Sequence, residues 1–127
     1  MMRVLYVVDD DSGSRKALVR YLETRFPKLV VASFSSAEDC LECTPPDLLI
    51  TDLTLGGWGK DGTELIQELA RVSRKTHFIV VSGWMELDEA KEKIRKKVGV
   101  SKNRFSAHSR LDGLDELVKK MLFHLAR

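Results

Sequence analysis

Long apolar runs are missing from this sequence. None approaches the ~18 residues that a bilayer-spanning helix requires. The N-terminus enters Arg3-Val4-Leu5-Tyr6-Val7-Val8 directly, without the layout of a signal peptide. A cytoplasmic protein that engages no membrane is the expectation. Cysteine is scarce, with two residues at C-x-x-C spacing, Cys40 and Cys43. A redox motif of this spacing should open a helix after a strand. Here it falls late in an expected helix, just before Pro45-Pro46. A zinc site needs two more ligands, and none is spaced for it. Reduced thiols packed as small hydrophobes are the better reading.

Net charge is also nearly absent, at +2, but the balance is uneven. Residues 90–127 hold eleven Lys/Arg against four Asp/Glu, and residues 1–89 hold ten against fifteen. An acidic site in one region and a basic surface for an anionic partner in another would produce this split. A basic helix face that is merely solvated would do so equally. Direct nucleic-acid binding is disfavoured, because no reading helix or aromatic interleaving accompanies the charge.

What is present is ample for a core. The chain has 127 residues, 43% of them hydrophobic, which suits one domain over residues 1–127. Three short apolar runs end on small oxygen-bearing side chains. Arg3–Val8 ends on Asp9 and Asp10, Asp47–Thr51 ends on Asp52, and Phe78–Val81 ends on Ser82. Runs of this length read as strands buried on both faces of a parallel sheet. A first strand over Met1–Val8 leads into a helix capped by Asp11 or Ser12, carrying Leu18, Tyr21, Leu22 and Phe26 and stopped by Pro27. Leu29–Ala32 reads as a second strand, and Ser35 with Glu38 as the capping box of a second helix. After Asp52 a glycine-rich loop reaches Thr63, the expected cap of a third helix bearing Leu65, Ile66 and Leu69. No Gly-Lys-Ser/Thr ending follows, which argues against a P-loop. His77–Val81 is a fourth strand. A fourth helix over Leu87–Val98 exposes Lys91, Lys93, Arg95, Lys96 and Lys97 and stops at Gly99. Arg104–His108 is a weak fifth strand. The last helix, Leu114–Leu125, turns Leu114, Leu117, Val118, Met121, Leu122 and Leu125 inward.

Five strands alternating with five helices predict α/β architecture with a parallel sheet of order 2-1-3-4-5. Strands one and three then lie side by side, and Asp9, Asp10 and Asp52 meet at their carboxyl ends, where such sheets bind ligands. Three adjacent carboxylates repel, and a hard divalent cation such as Mg²⁺ relieves the repulsion. A cation beside a carboxylate nucleophile is a site for phosphoryl transfer, with Asp52 as the acceptor and the Ser82 hydroxyl in reach of a phosphoryl oxygen. Singly, Asp9–Asp11 also serve as helix-capping acids and Asp52 as a loop acid.

The pattern resembles the receiver domain of bacterial two-component response regulators over the whole chain. Val8-Asp9-Asp10 is similar to the family's acidic pair, Asp47–Leu53 to the segment with the phosphorylated Asp, Gly62 to its Asp-Gly position, and Val80-Val81-Ser82-Gly83 to the strand with the switch hydroxyl. The resemblance implies a flavodoxin-like (βα)5 three-layer sandwich and a phosphoprotein of a two-component phosphorelay. It implies that a sensor histidine kinase or phosphotransfer protein phosphorylates Asp52. Asp10, Asp52 and the Thr54 backbone carbonyl would bind Mg²⁺, with Asp9 helping through water. Phosphorylation would switch a face made by helix four, strand five and helix five, which is basic here and suits an acidic partner. The domain would not be an enzyme beyond phosphoryl transfer to its own Asp52.

Departures from the family are equally specific. The family's Lys-Pro after strand five is missing from Phe105-Ser106-Ala107-His108-Ser109-Arg110. One alignment puts His108 in the place of the Lys and another puts Arg110 there. Arg110 is preferred as a permanent cation. The loop after Asp52 is about two residues longer than the family's, and position 56 is Gly rather than Pro. Trp84, two residues after Ser82, would either shield an acyl phosphate from water or simply pack on the fourth helix. The missing Lys-Pro keeps a second reading open, a pseudo-receiver that docks without phosphate. A third reading, a small phosphatase, lacks a second acid two residues after Asp52, where Thr54 stands.

Overall fold

A computed structural model of the chain describes residues 3–56, 59–83 and 87–126. Met1 and Met2 of the expected first strand, Gly57 and Trp58 of the glycine-rich loop, and Trp84 and Met85 lie outside these residues, and so does the expected role of Trp84.

Alternation of strand and helix runs the length of the chain. The elements are β1 (Val4–Val8), α1 (Ser12–Arg25), β2 (Val30–Phe34), α2 (Ala37–Leu41), β3 (Leu48–Asp52), α3 (Gly62–Val72), β4 (His77–Ser82), α4 (Leu87–Val98), β5 (Phe105–Ser109) and α5 (Gly113–Leu125). Short 3-10 turns at Lys102–Arg104 and Arg110–Asp112 flank β5. The five strands form one parallel sheet in the order β2-β1-β3-β4-β5, as expected. Side chains alternate across it. Leu5, Val7, Leu48, Ile50 and Ile79 pack with Leu22 of α1 and with Leu117 and Met121 of α5. Tyr6, Val8, Leu49, Phe78, Val80 and Phe105 pack on the other face with α2, α3 and Val98 of α4. This three-layer arrangement is the flavodoxin-like one, and the register sets Val8 beside Thr51 and Asp52 beside Val81.

Several boundaries differ from the sequence reading. The second strand runs Val30–Phe34 rather than Leu29–Ala32, because Leu29 N–H turns back to Phe26 O at 3.0 Å and pairing with β1 begins at Val30. Ser36, not Ser35, caps α2 by accepting from Asp39 N–H at 3.2 Å. Glu38 therefore makes no capping box. Asp61, not Thr63, caps α3, in a reciprocal box with Glu64. In α5, Leu117, Val118 and Met121 are buried as expected, but Leu114 and Leu122 remain 43% and 51% exposed. His124 occupies an interior position instead, its Nε2 2.7 Å from Ser106 Oγ and its Nδ1 2.9 Å from His77 Nδ1. Arg95 folds back from the exposed face of α4 to pair with Glu92 and donate to Val100 O. Gly99 ends α4 with a φ of +71°, where a glycine is favoured. Cys40 is buried, its thiol pushed up to about 12 by burial, and Cys43 is exposed, both as free thiols.

Candidate functional site

β1 and β3 end level with each other, so the acids that follow them converge. Asp9, Asp10 and Asp52 each place a carboxylate oxygen within 4.8 Å of the others. Asp9 is held firmly. Its N–H bonds Phe34 O, its carbonyl accepts from Arg15 Nη1 at 2.8 Å, and its Oδ1 accepts from Asp11 N–H at 3.0 Å. Asp11 caps α1, accepting from Ser14 Oγ–H and Gly13 N–H, which hold its carboxyl below the usual range. It therefore stands outside the cluster. Asp10 is exposed and its Oδ2 lies 2.6 Å from where a Cβ on Gly56 would sit, so the glycine at this position leaves room for the carboxylate.

Arg110 completes the cluster. Its Nη2 donates to Asp52 Oδ2 at 2.8 Å and reaches Asp9 Oδ2 at 3.5 Å. Its place follows from the sheet register: β5 pairs Ser109 with Ser82, and the 3-10 turn that follows swings Arg110 over the strand ends. His108 does not meet Asp52. It is 3% exposed and accepts from Lys120 Nζ through Nδ1 at 3.1 Å. Burial first, and then the Lys120 charge, hold its pKa below the ordinary imidazole value.

Asp52 is pulled in two directions. Burial raises its pKa above the ordinary carboxylate value, and the Asp9 charge adds to the rise. Arg110 and a backbone N–H of Thr54 oppose it. The main chain around it is pinned. Leu53 N–H bonds Val81 O at 2.9 Å, and Gly62 N–H bonds Leu53 O at 3.0 Å. A recess beside it is lined by Asp9, Asp11, Asp52, Leu53, Thr54, Ser82, Gly83 and Arg110. Ser82 is 7% exposed at the end of β4 and lines the same recess as Asp52.

Two features escaped the sequence. Glu38 accepts from Lys60 N–H at 2.8 Å, which ties the loop after β3 to α2. Only its pairing with a residue 22 positions away reveals this, so no local pattern signals it. The second is a cavity between α1 and α5 that Asp52 also lines.

The response regulator receiver domain profile matches residues 5–102, and the chain belongs to that family. The match stops before β5, where the sequence departs from Lys-Pro. Solved structures with the same fold include the beryllofluoride-activated DrrB receiver domain, 21% identical with TM-score 0.80, each chain covered over 100% of its length. The signal receiver domain of a DNA-binding response regulator from Colwellia psychrerythraea is 18% identical with TM-score 0.80, covering 98% of this chain and 99% of that one. A response regulator from Burkholderia pseudomallei, solved with a phosphorylated aspartic acid, a calcium ion and citrate, is 18% identical with TM-score 0.73, covering 91% of this chain and 64% of that one. Comparison with curated protein sequences finds no match.

Proposed function

We propose that the chain is a phosphoacceptor receiver, with Asp52 taking a phosphoryl group from a histidine kinase or phosphotransfer protein. The observation that carries this reading is the convergence of Asp9, Asp10 and Asp52 within 4.8 Å, with the Arg110 guanidinium against Asp52. One guanidinium offsets only part of three carboxylates, and an all-oxygen donor set of this size fits a hard divalent cation. Asp9, Asp10, Asp52 and the Thr54 backbone carbonyl would hold Mg²⁺. When bound, the ion would neutralise charge on the transferred group. The phosphorylated aspartic acid and calcium ion in the Burkholderia structure support the same use of this fold.

The residues divide the work. Asp52 supplies the carboxylate nucleophile, and Arg110 pairs with it at 2.8 Å. A new bond forms between its oxygen and phosphorus as the donor's bond to phosphorus breaks. Ser82 donates its hydroxyl to a phosphoryl oxygen, and Arg110 turns its remaining N–H groups to the same charge. Movement of Ser82 and of the turn carrying Arg110 then biases α4, β5 and α5 between two packings. Exposed Lys93, Lys96, Lys97 and Lys102 make that side attractive to an acidic protein.

The bridge from Arg110 to both Asp52 and Asp9 favours one rival, a docking module that never takes phosphate because its acceptor is already paired. One experiment separates the two. The chain is incubated with Mg²⁺ and acetyl phosphate or beryllofluoride, and wild type is compared with Asp52→Asn by mass spectrometry and NMR. An adduct that depends on Asp52 supports the acceptor reading. Its absence in wild type leaves the docking module.

A further inference from the structure

Beside the acceptor, between α1 and α5, lies a second cavity of about 240 Å³, open to solvent at Leu114. Its walls are apolar: Val7, Leu18, Ile50, Val81, Leu114 and Leu117. Asp9, Ser14, Asp52, His108 and Arg110 are its polar lining. Asp9, Asp52 and Arg110 also line the phosphoryl recess, so the two hollows share these three residues. Nothing in phosphoryl transfer uses the inner chamber. In-line attack by Asp52 sends the leaving group away from the carboxylate, not back beneath it.

The size and chemistry of the chamber select an occupant. A cavity of about 150 Å³ suffices for benzene, so this one accepts a single ring with a short side chain. Arg110 supplies the polar contact. Among the described residues all its hydrogen bonds run through Nη2, which leaves the donors of Nε and Nη1 open. A planar guanidinium with an open edge matches a carboxylate bidentately. His108 is buried, with Nδ1 engaged by Lys120.

We propose that the inner chamber binds a small amphipathic carboxylate, its apolar body between α1 and α5 and its head group on the open edge of Arg110. The carboxylates of Asp9 and Asp52 oppose an anion at close range, so the head group sits on the side of the guanidinium away from them. The same opposition makes the ligand and a phosphoryl charge on Asp52 mutually unfavourable, and by linkage each weakens the other. This second clause rests on the reading of Asp52 as acceptor. The first does not.

The test uses the full chain with methyl-labelled Leu, Ile and Val and no phosphodonor. The probes are 3-phenylpropanoate, its neutral analogue 3-phenylpropanol, and acetate. Saturable shifts of the Leu18, Ile50, Leu114 and Leu117 methyls are expected with the acid, with the alcohol about tenfold weaker, as befits loss of a charge-assisted pair. Acetate should leave these methyls unmoved. Arg110→Gln should erase the preference for acid over alcohol while the alcohol still binds. Leu114→Phe, at the half-exposed rim, should weaken both. Methyls unmoved by the acid, equal affinities for acid and alcohol in wild type, or a preference that survives Arg110→Gln would each overturn the site. Beryllofluoride is then added. Where it forms the Asp52 adduct, the affinity for the acid should fall, and an unchanged affinity overturns the competition. Where no adduct forms, the acceptor reading fails and the carboxylate titration still decides the site.

Discussion

Gly62 stands against the main chain of Asp52 with no space for a side chain between them. A Cβ built on Gly62 would overlap the carbonyl oxygen of Asp52 and crowd the Cα of Leu53. The overlapping atoms are backbone, so neither a rotamer change nor a flexible tip can relieve the contact. Gly62 N–H also bonds Leu53 O, which fastens the start of α3 to the segment that aims Asp52. Gly62→Ala should therefore push α3 from the end of β3. A loss of about 1–3 kcal/mol is expected, the usual cost of overpacking. Urea denaturation measures it. The folded fraction should also form less Asp52 adduct, and a variant of wild-type stability with full adduct formation would refute the argument.

Asp52 destabilises the chain that it equips. Its folded pKa lies above the ordinary value of 3.8, with burial the main cause. Between that value and the raised one, the folded chain binds more protons than the unfolded chain. Stability therefore falls as pH rises through this window, and the cost stands in full above it. Asp52→Asn removes the cost. With divalent cations chelated, the variant should melt higher than wild type at about pH 7, and the gap should close toward about pH 3. Parallel melting curves across this range would show that burial of the carboxylate is not what limits stability.

His108 works with the opposite sign. Its folded pKa lies below 6.5, through burial and the Lys120 charge. Below the unfolded value the unfolded chain takes up the proton first, so stability is lost as pH falls through 6.5 toward the folded pKa. His108→Gln keeps an acceptor for Lys120 Nζ and has no ring to protonate. Its denaturation midpoint should decline less than that of wild type as pH drops from about 7 to 5. Equal declines would assign the acid sensitivity to other groups.

Much of this structure was legible because its signals are local and repeated. Apolar runs ending in Asp9, Asp52 and Ser82 mark the strand ends, and the crossover rules then bring the acids together. The limits of α4 coincide with the expected Leu87–Val98, since Gly99 marks its end unambiguously. What stayed hidden depends on partners far along the chain. Ser35 and Ser36 offer the same hydroxyl, and only the position of β2 decides that Ser36 caps. Glu38 has the spacing of a capping residue, yet Lys60 claims it. His124 breaks the apolar stripe of α5 but is buried, because Ser106 and His77 supply polar partners within the core. Arg110 and His108 were rivals because the register of β5 against β4 sets which of them passes the strand ends.

That rivalry leads to the sharpest test. Arg110 lies 2.8 Å from Asp52, whereas His108 is occupied by Lys120. On the reading of Asp52 as acceptor, removing the guanidinium takes away a charge-assisted donor for the phosphoryl group. Arg110→Gln should slow adduct formation from acetyl phosphate by about tenfold or more, the scale of a lost charge-assisted hydrogen bond. Arg110→Lys keeps the charge but not the fork, so it should recover part of the rate. His108→Gln should stay within a factor of about two of wild type, since its ring meets Lys120 rather than the acceptor. Mass spectrometry of the adduct over time reads all four chains. A large loss in His108→Gln beside a normal rate in Arg110→Gln would place the family's missing cation at His108, against the geometry of the turn after β5.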